Sequence, residues 1–169
     1  MIDGRAVSAQ APNAAAFAPF GAWIEPPADV GGRAMFGEWL DPVKGRALHC
    51  HLNRVEPTSL PVKVDRVERH PHAAQLFLPV GVARYLVTVM PSNEAGEPDP
   101  RRAQAFVVPG TMGVAYHPET WHAGISVLEA EGSFAVMMWR GDKDDDVFAS
   151  IEPICVRAAE DAVEGMGDG

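Results

Sequence analysis

The stretch that decides the fold class is QLFLPVGVARYLVTVM, residues 75–90. It contains two short apolar runs, Gln75 to Val80 and Ala83 to Met90, which are separated by Gly81 and Val82. Short runs that are rich in β-branched and aromatic residues and bounded by turn residues are typical of β-strands. The stretch therefore predicts two strands that are close in sequence.

Similar runs recur along most of the chain. They lie at Leu48 to Asn53, Ala105 to Val108, Gly113 to Tyr116 and Ser133 to Trp139. In the first of these runs apolar and polar residues alternate, which predicts a half-buried strand. The segments between the runs contain Pro, Gly, Asn or Asp and show no long helix. This pattern favours a β-sandwich or a closed barrel over a parallel α/β sheet.

The length of 169 residues fits one domain. We expect an N-terminal extension at residues 1–12, a single domain at 13–156 and a flexible C-terminal tail at 157–169, where the sequence becomes small, acidic and rich in glycine. Asn13 is placed to cap a short helix over residues 14–17, which Pro19 then stops.

Charge and composition exclude several classes of protein. The formal net charge of −9 comes without a long Lys or Arg cluster, which argues against nucleic acid and anionic membranes as partners. No stretch approaches the ~20 apolar residues that span a bilayer, and Pro12, Asn13 and Pro19 interrupt the apolar region that a signal peptide needs. Cys50 and Cys155 form no disulfide framework. A reduced cytoplasmic protein is therefore expected.

The most chemically informative segment is YHPETWH, residues 116–122. It brings His117 and His122 close to a carboxylate and to the indole of Trp121. Imidazole exchanges protons near neutral pH and is also a common metal ligand, so the segment indicates acid–base or metal chemistry in a small-molecule site. In the alternative interpretation His117 caps a turn, Trp121 fills the core and His122 makes a local hydrogen bond.

A second dense segment, ERHPHAAQ, occupies residues 68–75. It is similar to the metal motif of cupins, which are jelly-roll barrels that often hold a divalent metal with a His-x-His pair, a later Glu and a distant His. The similarity pairs His70 with His72, puts Gln75 at or near the Glu position and makes His122 the distant ligand. In a regular strand Gln75 faces away from the two histidines, so all of them converge only through a bulge or a turn. Neutral Gln is also a weaker ligand than carboxylate.

Other polar features have open interpretations. His49 and His51 share one strand face, either as metal ligands or as a polar face. Arg54 either binds an anion or pairs with a surface carboxylate. The segments 91–100 and 141–146 are predicted to be solvated loops. The first is polar and rich in turn residues. The second has the composition of a calcium loop but lacks the ligand spacing of one.

Four motifs occur in a fixed order along the chain: ERHP at 68–71, QxFxP at 75–79, YHxxxWH at 116–122 and RG at 140–141. In combination they resemble the ureidoglycolate lyase family over residues 13–155. The resemblance implies a mainly β, cupin-like jelly-roll barrel with a short N-terminal helix, and a cytoplasmic homodimer that acts in allantoin or purine degradation. It also implies Ni²⁺ or another divalent metal as cofactor, with no organic cofactor.

The implied reaction splits ureidoglycolate into glyoxylate and urea. A base removes the proton of the substrate hydroxyl and an acid assists the departing urea nitrogen. The resemblance assigns proton transfer to His117 and His122, in either order, with Glu68 as the partner of an imidazole or as the alternative base. The further assignments are Arg54, Arg69, Gln75, Trp121 and Arg140 for substrate binding, and His70 with His122 for the metal.

The chain also departs from the family pattern, at Arg33–Trp39, at Ala123 and at Trp139. Family members often carry polar groups there, and losing such groups alters substrate discrimination. Two alternatives therefore stay open, a metal-dependent cupin isomerase or dioxygenase for another small polar substrate, and a noncatalytic cupin that binds a metabolite. The sequence contains no dinucleotide-binding glycine motif, no P-loop and no Gly-x-Ser-x-Gly motif.

Overall fold

Thirteen β-strands make up half of residues 4–159, the part of the chain that the computed structural model describes. The strands are β1 (Arg5–Gln10), β2 (Gly21–Ile24), β3 (Ala47–Val55), β4 (Pro57–Thr58), β5 (Val62–Arg69), β6 (Gln75–Val80), β7 (Arg84–Met90), β8 (Gln104–Pro109), β9 (Gly113–Tyr116), β10 (Trp121–His122), β11 (Ser126–Leu128), β12 (Gly132–Arg140) and β13 (Val147–Ala158). The helical elements are α1 (Ala14–Phe17) and two short 3₁₀ helices, Gly37–Leu40 and Pro100–Arg102.

Six of the strands close into a barrel. Their order is β10-β5-β13-β1-β8-β7, and β7 pairs again with β10. The barrel interior is apolar and contains, among others, Val67, Met90, Trp121 and Ile154. A closed barrel leaves none of its six strands with an unpaired edge. The prediction of a mainly β, cupin-like barrel is therefore confirmed.

A separate five-stranded sheet, in the order β2-β9-β6-β12-β3, packs over one side of the barrel. The core between the two layers is aromatic, and Phe17, Tyr85, Phe106, Tyr116 and Phe134 are each at most 1% exposed. Full burial of such a side chain stabilises the fold by ~1.5–3 kcal/mol. This core fixes the spacing of the two layers, and the candidate site lies between them at one end.

The short helix α1 follows the sequence prediction. Asn13 Oδ1 accepts a hydrogen bond from the Ala16 N–H at 2.9 Å, which caps the helix. The ring of Phe17 is fully buried and stacks on Trp23, with the ring centroids 4.0 Å apart. The helix ends at Phe17, two residues before Pro19. The predicted N-terminal helix is confirmed.

Strand β3 differs from its prediction. The sequence predicts a half-buried strand, yet Leu48 and Leu52 are 42% and 69% exposed. In the register with β12, His49 lies opposite Met138 and His51 lies opposite Val136, both buried. Directly opposed residues share a face, so the polar residues of β3 face the core side and the leucines face outward. The half-buried prediction is wrong because β3 is the edge strand of its sheet.

The ends of the chain add strands to the barrel. Residues 5–10, within the predicted N-terminal extension, form β1, which pairs in parallel with β13 and β8. At the other end β13 continues through Ala158. The predicted flexible tail lies, from residue 160 onward, outside the described residues, so it stays a prediction.

Candidate active site

Glu68, His70 and His122 form a compact polar cluster. Each offers one ligand atom, and these three atoms lie within 4.8 Å of one another. Glu68 on β5 and His122 on β10 occupy directly opposed positions, so their side chains share one face of the barrel wall. His70 comes immediately after the end of β5. The cluster is thus built from two neighbouring barrel strands and the turn that leaves one of them.

The ring of His122 is held in one orientation and one tautomer. Its Nδ1 lies 2.9 Å from the carbonyl oxygen of Thr120, which can only accept a hydrogen bond, so Nδ1 carries the proton. The ring also stacks on Tyr116, with centroids 4.1 Å apart and planes at 12°. Within residues 4–159 the Nε2 atom has no hydrogen-bond partner. Nε2 faces Glu68 Oε1 at 3.5 Å, which sets two acceptors against each other.

His70 is held in a similar way. Its Nδ1 lies 3.0 Å from the Asp145 carbonyl oxygen and 3.0 Å from Asp146 Oδ1, so this nitrogen is again the proton-bearing one. Burial, together with the neighbouring His122, lowers the pKa of His70, which keeps the ring neutral at neutral pH. Its Nε2 is 3.0 Å from the Gln75 side-chain amide at Oε1, and with the proton on Nδ1 it is the amide NH2 group that must turn to donate to Nε2. The sequence similarity that placed Gln75 beside this histidine agrees with the geometry.

Glu68 is the ionised and accessible member of the cluster. When a proton lies between His122 Nε2 and Glu68, the resulting hydrogen bond holds the pKa of the Glu68 carboxyl below its usual range, although burial acts in the opposite direction. The Glu68 side chain is 24% exposed, whereas those of His70 and His122 are 4% and 1% exposed. A molecule that reaches the cluster from solvent therefore meets Glu68 first.

The donor set fits a divalent metal ion. Two neutral imidazoles and one carboxylate are ligands that borderline divalent cations accept. Metal-bound histidines commonly donate their second N–H to a carbonyl or carboxylate oxygen, as His70 and His122 both do here. The bare His122 Nε2 opposite Glu68 Oε1 also needs a cation, either a proton or a metal, to remove the contact between two acceptors.

Three of the predicted substrate-binding residues adjoin the cluster, two of them in sequence and Arg140 through Asp146, but their side chains are already engaged. Arg69 pairs with Glu119 at 3.0 Å and donates to the Gly96 carbonyl oxygen of the 91–100 loop at 3.3 Å. Its guanidinium lies 4.7 Å from the centroid of the Trp121 ring. Arg140 forms an ion pair with Asp146. These contacts connect the loops around the cluster to one another.

Two other predicted residues lie elsewhere. Arg54 is 71% exposed and pairs with Glu131; in the sheet it lies opposite Ser133, at the end of β12 remote from Gln75. His117 is exposed, its ring centroid lies 4.9 Å from that of Trp39, and it lines a separate cavity of about 330 Å³ with His72 and Asp41. Neither Arg54 nor His117 is part of the cluster: His117 begins a turn in which its carbonyl oxygen accepts from the Thr120 N–H, and its side chain is exposed.

The 141–146 loop contributes to the site, although its sequence does not indicate this. That segment was predicted to be solvated, yet Asp145 is only 7% exposed, pairs with Arg46 at 2.9 Å and accepts from the Gly141 N–H at 2.7 Å. The loop prediction is therefore wrong for Asp145, which is buried, and for Asp146, which contacts His70. The one signal in the sequence was the Arg140-Gly141 motif that directly precedes this loop.

The positions that depart from the family pattern are mostly apolar in their surroundings. Trp139 donates its indole N–H to the Leu40 carbonyl oxygen at 2.9 Å, and Ala123 is buried in the barrel core. Residues 33–36 line an open cavity of about 730 Å³ on the five-stranded sheet, away from the cluster.

No helix within residues 4–159 is long and apolar enough to cross a membrane.

A closed β-barrel that carries a glutamate and two histidines between its wall and a second sheet defines a cupin-like enzyme. The sequence profile described as ureidoglycolate lyase matches residues 4–156, so the chain belongs to the ureidoglycolate lyase family. The predicted family is confirmed.

Individual relatives show the same similarity. A ureidoglycolate lyase of Burkholderia mallei (strain NCTC 10229) is 36% identical over 138 residues, which are 76% of this chain and 79% of that protein. One of Rhizobium etli (strain CIAT 652) is 36% identical over 131 residues, 72% of this chain and 77% of that protein. One of Burkholderia cepacia is 38% identical over 85 residues, 50% of this chain and 46% of that protein, so this match spans about half of each.

Proposed function

We propose that this protein is a ureidoglycolate lyase that cleaves ureidoglycolate to glyoxylate and urea. The observation that carries the proposal is the pair of Glu68 and His122, opposed at 3.5 Å within a member of this family. The named relatives favour this activity over that of a cupin isomerase or dioxygenase and over a noncatalytic role.

The substrate is a carbinolamine, so the chemistry consists of proton transfers and the breaking of one carbon–nitrogen bond. Glu68 Oε1 faces His122, which leaves the second carboxylate oxygen for the substrate hydroxyl. In the proposed step Glu68 accepts the hydroxyl proton, a carbon–oxygen double bond forms, and the carbon–nitrogen bond breaks toward urea. The same carboxyl group then returns the proton to the departing nitrogen, so no water is added and the proton count balances.

His122 and Tyr116 position this carboxylate. The Nδ1–H bond to Thr120 and the stacked Tyr116 ring fix His122 against Glu68. Burial, reinforced by the charge of Glu68, raises the pKa of Tyr116 far above its usual value, so its phenol stays neutral. A neutral ring against the imidazole adds no second negative charge beside Glu68.

We further propose that Glu68, His70 and His122 hold a divalent metal ion, and Ni²⁺ is the ion that the family resemblance implies. When bound, such an ion polarises the hydroxyl or carboxylate oxygens of the substrate. The support is the donor set and the two histidines whose Nδ1–H groups are anchored on carbonyl oxygens.

Product analysis tests the activity. Purified protein, either metal-replete or treated with a chelator, is incubated with racemic ureidoglycolate while glyoxylate, urea and ammonia are followed separately and spontaneous breakdown is subtracted. Glyoxylate and urea in equal amounts, without ammonia, support the lyase, and the chelated sample tests the metal. Stoichiometric metal without turnover in folded protein would instead favour a cupin enzyme for another substrate. Ligand-dependent thermal stabilisation without turnover would favour a noncatalytic binder.

We also propose that the protein is a homodimer that acts in the cytoplasm in allantoin or purine degradation. The β3 edge is unpaired within the described residues, and Leu48, Leu52 and Val80 are exposed on the outward face of the same sheet. An exposed edge with an apolar face favours pairing with a second copy, and burial of this face would stabilise the pair. The thiols of Cys50 and Cys155 are both free, which suits a reducing compartment.

A further inference from the structure

The polar cluster has an open side at Glu68. Glu68 lines a cavity of about 270 Å³ together with Arg66, Val67, Gly124 and Phe148. The cavity opens to solvent over the ring of Phe148, which is 53% exposed. A small molecule in this cavity would contact the carboxylate that we propose as the proton acceptor.

Arg66 is the cationic side chain of this cavity. It lies two residues before Glu68 on β5, and alternate residues of a strand share a face. On the adjacent strand Phe148 lies opposite Glu68, and the Arg66 guanidinium is stacked 4.3 Å from the centroid of the Phe148 ring. The aromatic face holds the guanidinium at the cavity through a cation–π contact and leaves its N–H donors available.

The other arginines considered for substrate binding already have carboxylate partners. Arg69 pairs with Glu119, Arg140 with Asp146 and Arg54 with Glu131. Within residues 4–159, Arg66 has no ion-pair partner at 4.0 Å or less. Arg66 therefore combines an uncompensated positive charge with a place beside Glu68.

We propose that Arg66, seated on Phe148, binds the carboxylate of a small α-hydroxy acid and so directs the hydroxyl of that acid to Glu68. This inference rests on the proposed lyase function and names the side chain that would orient its substrate. Guanidinium binds carboxylate through two parallel hydrogen bonds, which fixes direction as well as position. Arg66 and Glu68 are separated by about 7 Å along the strand, a span on the scale of a two-carbon hydroxy acid with a hydrogen bond at each end.

The neighbouring residues suit this arrangement. Gly124 leaves open space where a side chain would otherwise project, since no atom lies within 4 Å of the position of an added Cβ. Phe148 supplies an apolar wall against which the hydrogen-bonded carboxylate is partly shielded from water, which strengthens the ion pair. The side chains of Arg66, Phe148 and Glu68 thus supply a cation, an apolar wall and the proton acceptor, and Gly124 leaves open space beside them.

Two variants at position 66 and one matched control test the proposal. Arg66→Met removes the charge and keeps the stem, and Arg66→Lys keeps the charge but loses the paired hydrogen bonds. Arg157→Met removes the same charge from an exposed position near the other end of β13. For each protein kcat and KM are measured with ureidoglycolate. The dissociation constants of glycolate and of its uncharged analogue glycolamide are measured by calorimetry, which does not depend on turnover.

We expect Arg66→Met to raise KM and the glycolate dissociation constant by about 10-fold or more, because a hydrogen-bonded charge pair is lost. Binding of glycolamide and the values for Arg157→Met should match the wild type, and Arg66→Lys should lie between. An Arg66→Met variant that keeps the KM and the glycolate affinity of the wild type would overturn the proposal. If Arg66→Met does not fold, an unchanged glycolate affinity in Arg66→Lys would overturn it instead. Arg66-dependent glycolate binding without any ureidoglycolate turnover would reject the lyase function and leave the carboxylate site standing.

Discussion

The Nε2 atom of His122 faces the Oε1 atom of Glu68 at 3.5 Å, while Nδ1 of the same ring is tied to the Thr120 carbonyl oxygen. This relationship assigns the proton to Nδ1 and leaves a bare nitrogen opposite a carboxylate. Two acceptors at this distance repel unless a cation lies between them. The proposed proton transfer and the proposed metal binding thus both depend on one contact between two barrel strands.

Replacing Glu68 with Gln tests the carboxylate directly. Gln has nearly the same shape but no charge, so it neither accepts the substrate proton nor balances a divalent ion. We expect Glu68→Gln to lower kcat by roughly 10²–10⁴-fold, with the control Glu56→Gln, an exposed position, unchanged. Steady-state kinetics and the stoichiometry of bound metal are the measurements. A Glu68→Gln enzyme with wild-type kcat would remove this residue from the mechanism.

The two histidines of the YHPETWH segment should behave differently. His122 lies in the cluster, whereas His117 lies against Trp39 at the separate cavity. We expect His117→Ala to keep kcat within about 3-fold of the wild type, because the residue is exposed and is not a member of the Glu68, His70 and His122 cluster. His122→Asn should lose about 100-fold or more, because removing the imidazole that positions Glu68 disables the proton transfer by that carboxylate. A loss of that size in His117→Ala would restore His117 as a catalytic residue.

Much of the fold was predictable from the sequence because turn residues separate its strands, but strand faces and non-local pairs were not. The alternation in β3 correctly showed that Leu48 and Leu52 share a face, yet it could not show that this face lies outward on an edge strand. Strand β1 escaped prediction because only Val7 and Ala9 are buried in it, and its partners are distant in sequence.

The cluster itself was partly predictable. Glu68, His70, Gln75 and His122 were all selected from local motifs, and the required break in alternation occurs at residues 71–74, between β5 and β6. Asp145 was not selected, because it contacts His70 across 75 residues of sequence. An acidic run normally indicates a solvated loop. Here the ion pair with Arg46 allows Asp145 to be buried, and the local sequence does not show this pair.

Asp146 should hold the His70 ring in its orientation through a contact with Nδ1. It lies 3.0 Å from His70 Nδ1 and pairs with Arg140, so its charge supports the tautomer that leaves Nε2 bare. We expect Asp146→Asn to weaken metal binding by about 10–100-fold, the usual effect of removing such an outer partner. The control is Asp144→Asn, which removes the same charge from an exposed position of the same loop. Metal titrations that give equal affinities for both variants would contradict this role.

Gln75 provides an opposite test, in which a ligand is added. Gln75→Glu places a carboxylate beside His70 Nε2, at the position where the cupin motif has its glutamate. Without metal, the added buried charge near Glu68 should lower the free energy of unfolding by ~1–3 kcal/mol. With Ni²⁺ added, the melting temperature should rise by more than that of the wild type. The control Gln104→Glu, on β8, should show no metal-dependent gain. Equal gains in all three proteins would exclude Gln75 from the metal site.

The proposed dimer surface predicts a specific effect of charge on the outward face of β3. Leu52 is 69% exposed there, and His51 lies on the opposite face of the same strand. Leu52→Glu should convert a dimer to a monomer, because a second copy would have to bury two like charges near the symmetry axis. His51→Glu adds the same charge to the other face and should leave the dimer intact. Sedimentation equilibrium or light scattering measures the mass of each protein. A wild-type monomer would reject the dimer, and a dimeric Leu52→Glu would place its interface on another surface.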